Sequence, residues 1–456
     1  MRDDSTGHGL AASLALTLGS ALLWGFAHVW TGRTKVGLTL MALFLTLNVA
    51  ALTVITLFRT ELLTLIVQPR WLIVLMAVLI ALALGWIAVI VRSYQLVRPP
   101  VHRRFARGAA AAVAGLVCLA ITVPLAYAAH LAHVSRDLVT TLFTAAPAGP
   151  VGEGGGDGDP WKGTSRLNLL LIGADAAPNR YGVRTDSITL ASIDIESGHT
   201  VLFGLPRNLQ SVPMPAGPAR QWFPFGFTGD GPQTPGLLNE IYQFAEDHPE
   251  VVPGVANGRR GTTLLKSTVG DMLGLDVDHY AMIDMKGFSK VIDAMGGVTV
   301  TVKEPITYGR YNEGLIPAGT RKLSGAQALW YGRSRTYGDD YVRMGRQKCL
   351  INAVVKQAEP LTVLRSFDRL AGAAKGAIST DLPQELLPGL VDLAHRVKET
   401  KIKSLQFVPP LINTADPDYN LIKDKVAAAL ATRSAPKSPG VSPSPHEPVS
   451  LDAACR

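Results

Sequence analysis

Four apolar runs crowd the first third of this chain, roughly Leu10–Trp30, Val36–Phe58, Trp71–Val91 and Ala109–Ala129. Each approaches the ~20 residues that a helix needs to cross the hydrocarbon core of a bilayer. One such run could be a buried helix of a soluble protein. Four in succession predict a membrane region over residues 1–135 with about four transmembrane helices. A cleavable signal peptide does not fit, because further apolar runs follow and the N-terminus lacks a basic region and a small-residue cleavage site.

The loops orient these helices. The segment RSYQLVRPPVHRRFAR after the third run carries Arg92, Arg98, Arg103, Arg104 and Arg107 and no acid, which predicts a cytoplasmic loop. Arg33 and Lys35, after the first run, agree. Everything beyond Ala129 is then expected outside the cell, as the large part of a multi-pass protein of the cell membrane. The first run contains Gly25, His28 and Gly32 and could be a re-entrant hairpin; that would move the N-terminus inside and leave the large C-terminal part outside.

A Gly/Pro-rich linker is read over residues 136–164, with AAPAGPVGEGGGDGDPWKG at its heart, and a disordered Ser/Pro-rich tail over 434–456. Residues 165–433 between them form one soluble domain with mixed α/β patterning. LNLLLIGAD is an almost unbroken apolar run, as expected of a strand covered on both faces. SITLASIDI alternates, and TVLFGLPRN follows a Ser-Gly turn. TTLLKSTVGDMLG has helical spacing and a terminal glycine, and DHYAMIDM, GFSKVIDAMGG and VTVTVK read strand, helix, strand. The fold class is therefore α/β, a mixed central sheet flanked by helices. The three cysteines, Cys118, Cys349 and Cys455, suggest neither a disulfide framework nor a metal pattern, and no HxxxH or HExxH spacing points to zinc.

The formal charge is +8, which suits an anionic surface or ligand without choosing between nucleic acid, phospholipid and phosphorylated substrate. Within it, YGRSRTYGDDYVRMGRQK places four arginines in eighteen residues. ALWYGRSR reads as extended, which would put Arg333 and Arg335 on one side of a strand. The following segment reads as a helix capped by Asp339 or Asp340, with Arg343, Arg346 and Gln347 along one stripe. Guanidinium groups so gathered suit the oxygens of a phosphate or pyrophosphate, to which each can donate two parallel hydrogen bonds. Surface charges paired with Asp339, Asp340 and solvent are the plainer reading. A second candidate is GADAAPNRYGVRTDS, where Asp175 and Asp186 flank a loop at a strand edge and Arg184 lies between them; Arg207 ends the third strand. Two carboxylates facing phosphates commonly hold Mg2+, although aspartates at such places also serve simply as turn formers.

Taken together and in order, NLLLIGADA, VRTDSITLASID, LFGLPRN, GLDVDHYAMIDMKGFSKVIDAMGGVTVTV, LSGAQALWYGRSR and DDYVRMGRQ resemble the LytR–CpsA–Psr family of bacterial cell-envelope proteins over about Leu167 to Gln357. The resemblance implies an α/β domain on the outer face of the membrane that binds a polyprenyl-pyrophosphate-linked glycopolymer. It implies transfer of that polymer to peptidoglycan through a phosphodiester, a lipid tail lying in an apolar groove, and no role for nucleic acid. By position, Asp175 and Asp186 match the acidic residues of a Mg2+ site, which Mn2+ could also fill. Arg184, Arg207, Arg333, Arg335, Arg343, Arg346 and Gln347 match the phosphate-contacting set. Asp175, Asp186, Arg333 and Arg335 would be the catalytic residues, and a pyrophosphatase side activity would be compatible. Teichoic acid, arabinogalactan and capsule polymer would each present the same pyrophosphate.

The sequence also departs from the family. Asn208 follows Pro206-Arg207 where an aspartate is usual, and Leu237 and Leu238 precede Asn239 where a lysine is common. Many relatives also carry a single anchoring helix. These departures keep open a non-catalytic envelope scaffold that binds polyprenyl phosphate. A transcription regulator is a further alternative, opposed by the expected external placement.

Overall fold

The computed structural model describes residues 10–58, 65, 67–97, 104–143, 161, 163–175, 182–232, 234–309, 311–335, 338–358, 366–431 and 447–455. Arg98 and Arg103, most of the expected linker and residues 434–446 of the expected tail lie outside these. The chain divides into two compact units, Met1–Val139 and Thr140–Arg456.

In the first unit the leading apolar run is broken. Helix α1 (Leu10–Leu22) stops, Gly25 takes a left-handed φ of 87°, and the short α2 (Phe26–Trp30) follows. A Cβ at Gly25 would lie 2.3 Å from the carbonyl oxygen of Gly37, so only glycine allows the chain to pass this close to the next helix. At 13 residues α1 is about 20 Å long, well short of a hydrocarbon core of ~30 Å. Among the described residues, three helices remain that are long and apolar enough to cross a membrane: α3 (Thr34–Leu57), α4 (Pro69–Val97) and α5 (Arg104–Leu142). Against the four crossings expected, the described residues thus hold three helices of spanning length, and the first run takes a broken form. Trp24, Phe44 and Trp86 cluster with centroids 5.6 to 5.8 Å apart, Trp86 meeting both others edge to face, and the Trp86 indole donates to the Ala21 carbonyl at 3.0 Å. Along α3, by contrast, apolar side chains such as Val49 and Leu52 point outward, 63% exposed each, as a lipid-facing surface requires.

The second unit is built on a seven-stranded mixed sheet in the order β11 (Val449–Ser450), β10 (Lys403–Gln406), β3 (Thr200–Leu205), β2 (Arg184–Asp194), β1 (Arg166–Asp175), β4 (His279–Asp284) and β9 (Ile378–Thr380). Its centre is β1 (Arg166–Asp175), paired antiparallel with β2 (Arg184–Asp194) and parallel with β4 (His279–Asp284). β3 (Thr200–Leu205) lies antiparallel to β2. The two-residue alternation of a strand explains why the sheet has two cores. Leu170, Ile172, Leu190, Phe203 and Leu205 face one side, against α6 (Ile241–Asp247), α7 (Arg260–Leu273) and a later helix, Tyr419–Ala431. Leu171, Ala191 and Leu202 face the other, against Ile351 and Val355 of a long helix described below.

After β4, Asp284 caps α8 (Met285–Ala294) by accepting from the Gly287 N–H at 2.6 Å. The strand expected next is β5 (Val298–Val302), but it leaves the main sheet and pairs with β8 (Gly319–Leu323). Between them runs a hairpin of β6 (Ile306–Tyr308) and β7 (Gly314–Ile316). Two helices follow, α9 (Gly325–Arg333) and α10 (Asp340–Gln357). The expectation of an extended segment through Tyr331 and Arg333 is therefore corrected. Ser324 and Gln327 form a reciprocal capping box that starts a helix, and the helix ends at Arg333.

The remaining strands complete the sheet: β9 (Ile378–Thr380) beside β4, β10 (Lys403–Gln406) parallel to β3, and β11 (Val449–Ser450) at the edge of β10. The last of these overturns two expectations. The end of the chain, read as disordered, contributes β11 and a helical turn at Leu451–Ala454, with Leu451 fully buried. Cys349 of α10 and Cys455, read as unpaired, form a disulfide, which a spacing of 106 residues hid from pattern reading. Asp452 also pairs with Lys356 of α10. Closing a loop of this length stabilises by up to about 4.7 kcal/mol in the chain-entropy account. Cys349→Ser is expected to lower the thermal midpoint of the full chain in detergent by several degrees. Reductant should do the same to the wild type and nothing further to the variant.

Candidate functional site

β1 and β3 run in the same direction, so Asp175 at the end of β1 and Arg207 just past β3 emerge at one edge of the sheet, together with the start of β2. Ligands in open α/β sheets commonly sit at this kind of edge. The register places Asp175 opposite Arg184, after an irregularity between Gly173 and Ala174. The irregularity leaves Asp186 of β2 as the extra residue, without an opposite partner on β1, while Thr185 beside it is fully buried. Arg184 is exposed and makes no ion pair among the described residues.

α9 and α10 bring the other arginines to this edge. Arg333 Nη2 stands 3.4 Å from Asp175 Oδ2, a carboxylate almost wholly out of solvent. Arg207 Nη1 donates to Asp186 Oδ1 at 2.5 Å. Arg343 is only 4% exposed and uses three of its nitrogens: Nε and Nη2 grip the two oxygens of Asp340 at 3.1 and 2.8 Å, and Nη1 donates to the Asp186 carbonyl at 2.9 Å. Arg335 Nη2 reaches Asp340 Oδ1 at 3.0 Å and Arg207 Nε reaches it at 3.4 Å. Of the nine residues singled out from sequence, Arg346 and Gln347 take a bracing role. Arg346 donates to the Ser334 carbonyl at 2.9 Å and Gln347 to the Gly332 carbonyl at 3.1 Å, satisfying backbone oxygens at the open C-terminal end of α9.

The residue that sequence reading missed is Asp340. Asp339 and Asp340 were equivalent cap candidates, and the structure divides their work: Asp339 caps α10, accepting from the Tyr341 and Val342 N–H groups, while Asp340 gathers Arg207, Arg335 and Arg343. The signal available was its three-residue offset from Arg343 on a helix. Burial alone would raise the Asp340 carboxyl. The hydrogen bond and charge of Arg343, joined by Arg207 and Arg335, outweigh it and hold the group below its ordinary value. For Arg207, burial opposes the charge, but Asp186 and Asp340 prevail and strengthen its hold on the proton.

The two departures from the family pattern also find places. Asn208 donates its amide to Thr414 Oγ1 at 3.2 Å, and Tyr341 shares that hydroxyl at 3.0 Å. Leu238 is fully buried in the main core, so a charge is excluded there and any lysine position falls on the half-exposed Leu237. Beside Asp186 a narrow cleft opens between the sheet and α10. Leu202, Leu205 and Met344 line it together with Gln347, Lys348 and Gln406, which makes it more polar than a purely apolar groove.

A depressed carboxyl stabilises the fold above its unfolded pKa, near 4, and the contribution is lost as pH falls through the folded value. Asp340→Asn leaves Arg343 buried without its counter-charge, and about 2 kcal/mol or more of stability should be lost at neutral pH. Denaturant unfolding across pH 3 to 7 checks this, and the difference from wild type should shrink below pH ~4.

Over 233 residues, 51% of this chain, the sequence is 27% identical to a polyisoprenyl-teichoic acid–peptidoglycan teichoic acid transferase, TagU, of Oceanobacillus iheyensis. That match covers 63% of the relative, so the chain spans less than two thirds of its length. Over 156 residues it is 30% identical to biofilm regulatory protein A of Streptococcus mutans, covering 32% of this chain and 38% of that protein. Among solved structures, B. subtilis TagV is 21% identical with a TM-score of 0.42, over 58% of this chain and 96% of that one. Residues 150–429, more than half of the chain, match the LytR_cpsA_psr family, and the chain belongs to that family.

Proposed function

We propose that this protein is a membrane-anchored phosphotransferase that moves a glycopolymer from a polyprenyl-pyrophosphate carrier onto peptidoglycan. The observation that carries the reading is the set of arginines at one sheet edge beside Asp175 and Asp186, three of which, Arg184, Arg333 and Arg335, keep substantial exposure. Family membership and the teichoic acid transferase name of the Oceanobacillus relative support the same chemistry.

In this reading Arg184, Arg333 and Arg335 bind the pyrophosphate oxygens, while Arg207 and Arg343, held by Asp186 and Asp340, keep the edge positive and fixed. The acceptor hydroxyl attacks the phosphorus that bears the sugar. A new P–O bond forms, the phosphoanhydride bond breaks, polyprenyl phosphate leaves in line, and the hydroxyl proton passes to a nearby carboxylate or water. Such transfer needs chiefly positioning and neutralisation of developing charge. Asp175 and Asp186, which here pair with Arg333 and Arg207, would be the carboxylates to hold Mg2+, which takes one or two of them alongside substrate phosphates. Among the described residues no group of three or more His, Cys, Asp or Glu side chains could hold a metal, so substrate oxygens and water would complete the set. Bound there, the ion would offset charge on the breaking pyrophosphate. A non-catalytic lipid-phosphate binder is the second reading, favoured by Asn208 in place of an aspartate.

The α/β domain is proposed to lie outside the cell. Arg92, Arg104 and Arg107 flank the α4–α5 connection and favour its cytoplasmic side, so α5 would lead outward. The disulfide is typical of oxidising surroundings outside the cytoplasm.

Purified full chain is expected to carry or take up a polyprenyl phosphate or pyrophosphate, seen by mass spectrometry of its organic extract. Arg333→Ala should lower transfer of lipid-linked polymer to peptidoglycan by at least about 100-fold. Wild type that binds the lipid without turnover would favour the non-catalytic reading. A phosphatase fused after Arg456 should be active, since that enzyme works only outside the cytoplasm; an inactive fusion alongside a fluorescent cytoplasmic reporter would overturn the external placement.

A further inference from the structure

The phosphate site leaves unused the aromatic side chains that adjoin it. Trp330 is on α9, one turn before Arg333, and the guanidinium carbon of Arg333 lies 5.9 Å from the centre of its ring. A second ring neighbour of Trp330 is Tyr308, at the end of β6, with ring centroids 6.2 Å apart and planes inclined by 33°. The guanidinium stands over the indole at the outer reach of a cation–π contact, and the two rings are splayed rather than stacked. Both residues are half-exposed. Both carry a polar handle, the indole N–H and the phenol O–H, that has no hydrogen-bond partner among the described residues.

An aromatic surface with free polar handles suits a ligand that is apolar on one face and hydroxylated at its rim. A pyranose ring is such a ligand: its axial C–H groups pack on a π-face while its hydroxyls take hydrogen bonds from the margin. Covalent connectivity makes the assignment specific. Arg333 links the aromatic pair to the phosphate site, and the group joined directly to the phosphate of a lipid-linked glycopolymer is a sugar. We infer that Trp330 and Tyr308 form a sugar-stacking subsite that holds the carrier-proximal sugar of the donor, next to the phosphate that Arg333 grips. This rests on the proposed pyrophosphate-binding role of Arg333. It assigns to this chain a basis for choosing among glycopolymers that share the same pyrophosphate.

The test compares two probes on the full chain in detergent: polyprenyl pyrophosphate bearing one N-acetylhexosamine, and the bare polyprenyl pyrophosphate. Wild type should bind the sugar-bearing probe more tightly. Trp330→Ala should weaken it about tenfold and leave the bare probe within about twofold. Trp330→Phe keeps a ring and loses the N–H, so it should fall between. Unchanged binding of the bare probe also verifies that the variant is folded. Equal loss for both probes would mean that Trp330 acts only by positioning Arg333, and would overturn the subsite. So would wild type that binds both probes equally, or a Trp330→Ala variant with no loss. Wild type that binds neither probe would sink the pyrophosphate reading itself, and the subsite with it.

Discussion

Arg343 is the group on which the site geometry depends. A guanidinium that is 4% exposed must have its donors satisfied, and it does so in two directions: both oxygens of Asp340 on its own helix, and the Asp186 backbone on β2. The first fixes the carboxylate that Arg207 and Arg335 then share. The second ties α10 to the sheet where the sheet presents Asp186. Breaking a buried pair by removing one partner is costly because the other charge stays behind in low dielectric. The arrangement is therefore stiff, and stiffness suits a phosphate site, where donors must be aimed before the ligand arrives.

The arginines thus divide into two groups. Arg207, Arg343 and Arg346 spend donors on protein acceptors and are largely withdrawn from water. Arg184, Arg333 and Arg335 stand more exposed, the last two with side chains 38% and 54% accessible. A sequence treats all six alike as positive residues in family positions. The structure separates those withdrawn from water from those exposed enough to meet an anion, as the proposed function requires.

Much of this was legible in the sequence, for reasons that can be named. The strands of the main sheet carry near-continuous apolar runs or clean alternation, so β1, β2, β3 and β4 were visible. The family blocks brought Asp175, Asp186 and the arginines to one edge. What failed was local in one place and long-range in another. The segment before Arg333 has a tryptophan and a tyrosine that suit strands, but the Ser324–Gln327 capping box decided for a helix. The disulfide bridges 106 residues, and β11 finds its place by pairing with β10 well outside its own segment, contacts that no short window of sequence reports. The first apolar run was ambiguous because its glycines break a helix only where another backbone passes close by, as Gly37 does.

The pairing of Asp175 with Arg333 has a kinetic corollary. The two residues are 158 positions apart, and the Arg343–Asp186 contact spans 157. Contacts this distant cannot form until the intervening strands, hairpin and helices have found their places, and loop closure of this length slows folding. A nascent chain would expose its arginines separately long before they converge, with no geometry able to grip a phosphate. Assembly of the clamp would thus be one of the last events in maturation, and partial unfolding that frees α10 would dismantle it while most of the central sheet persists.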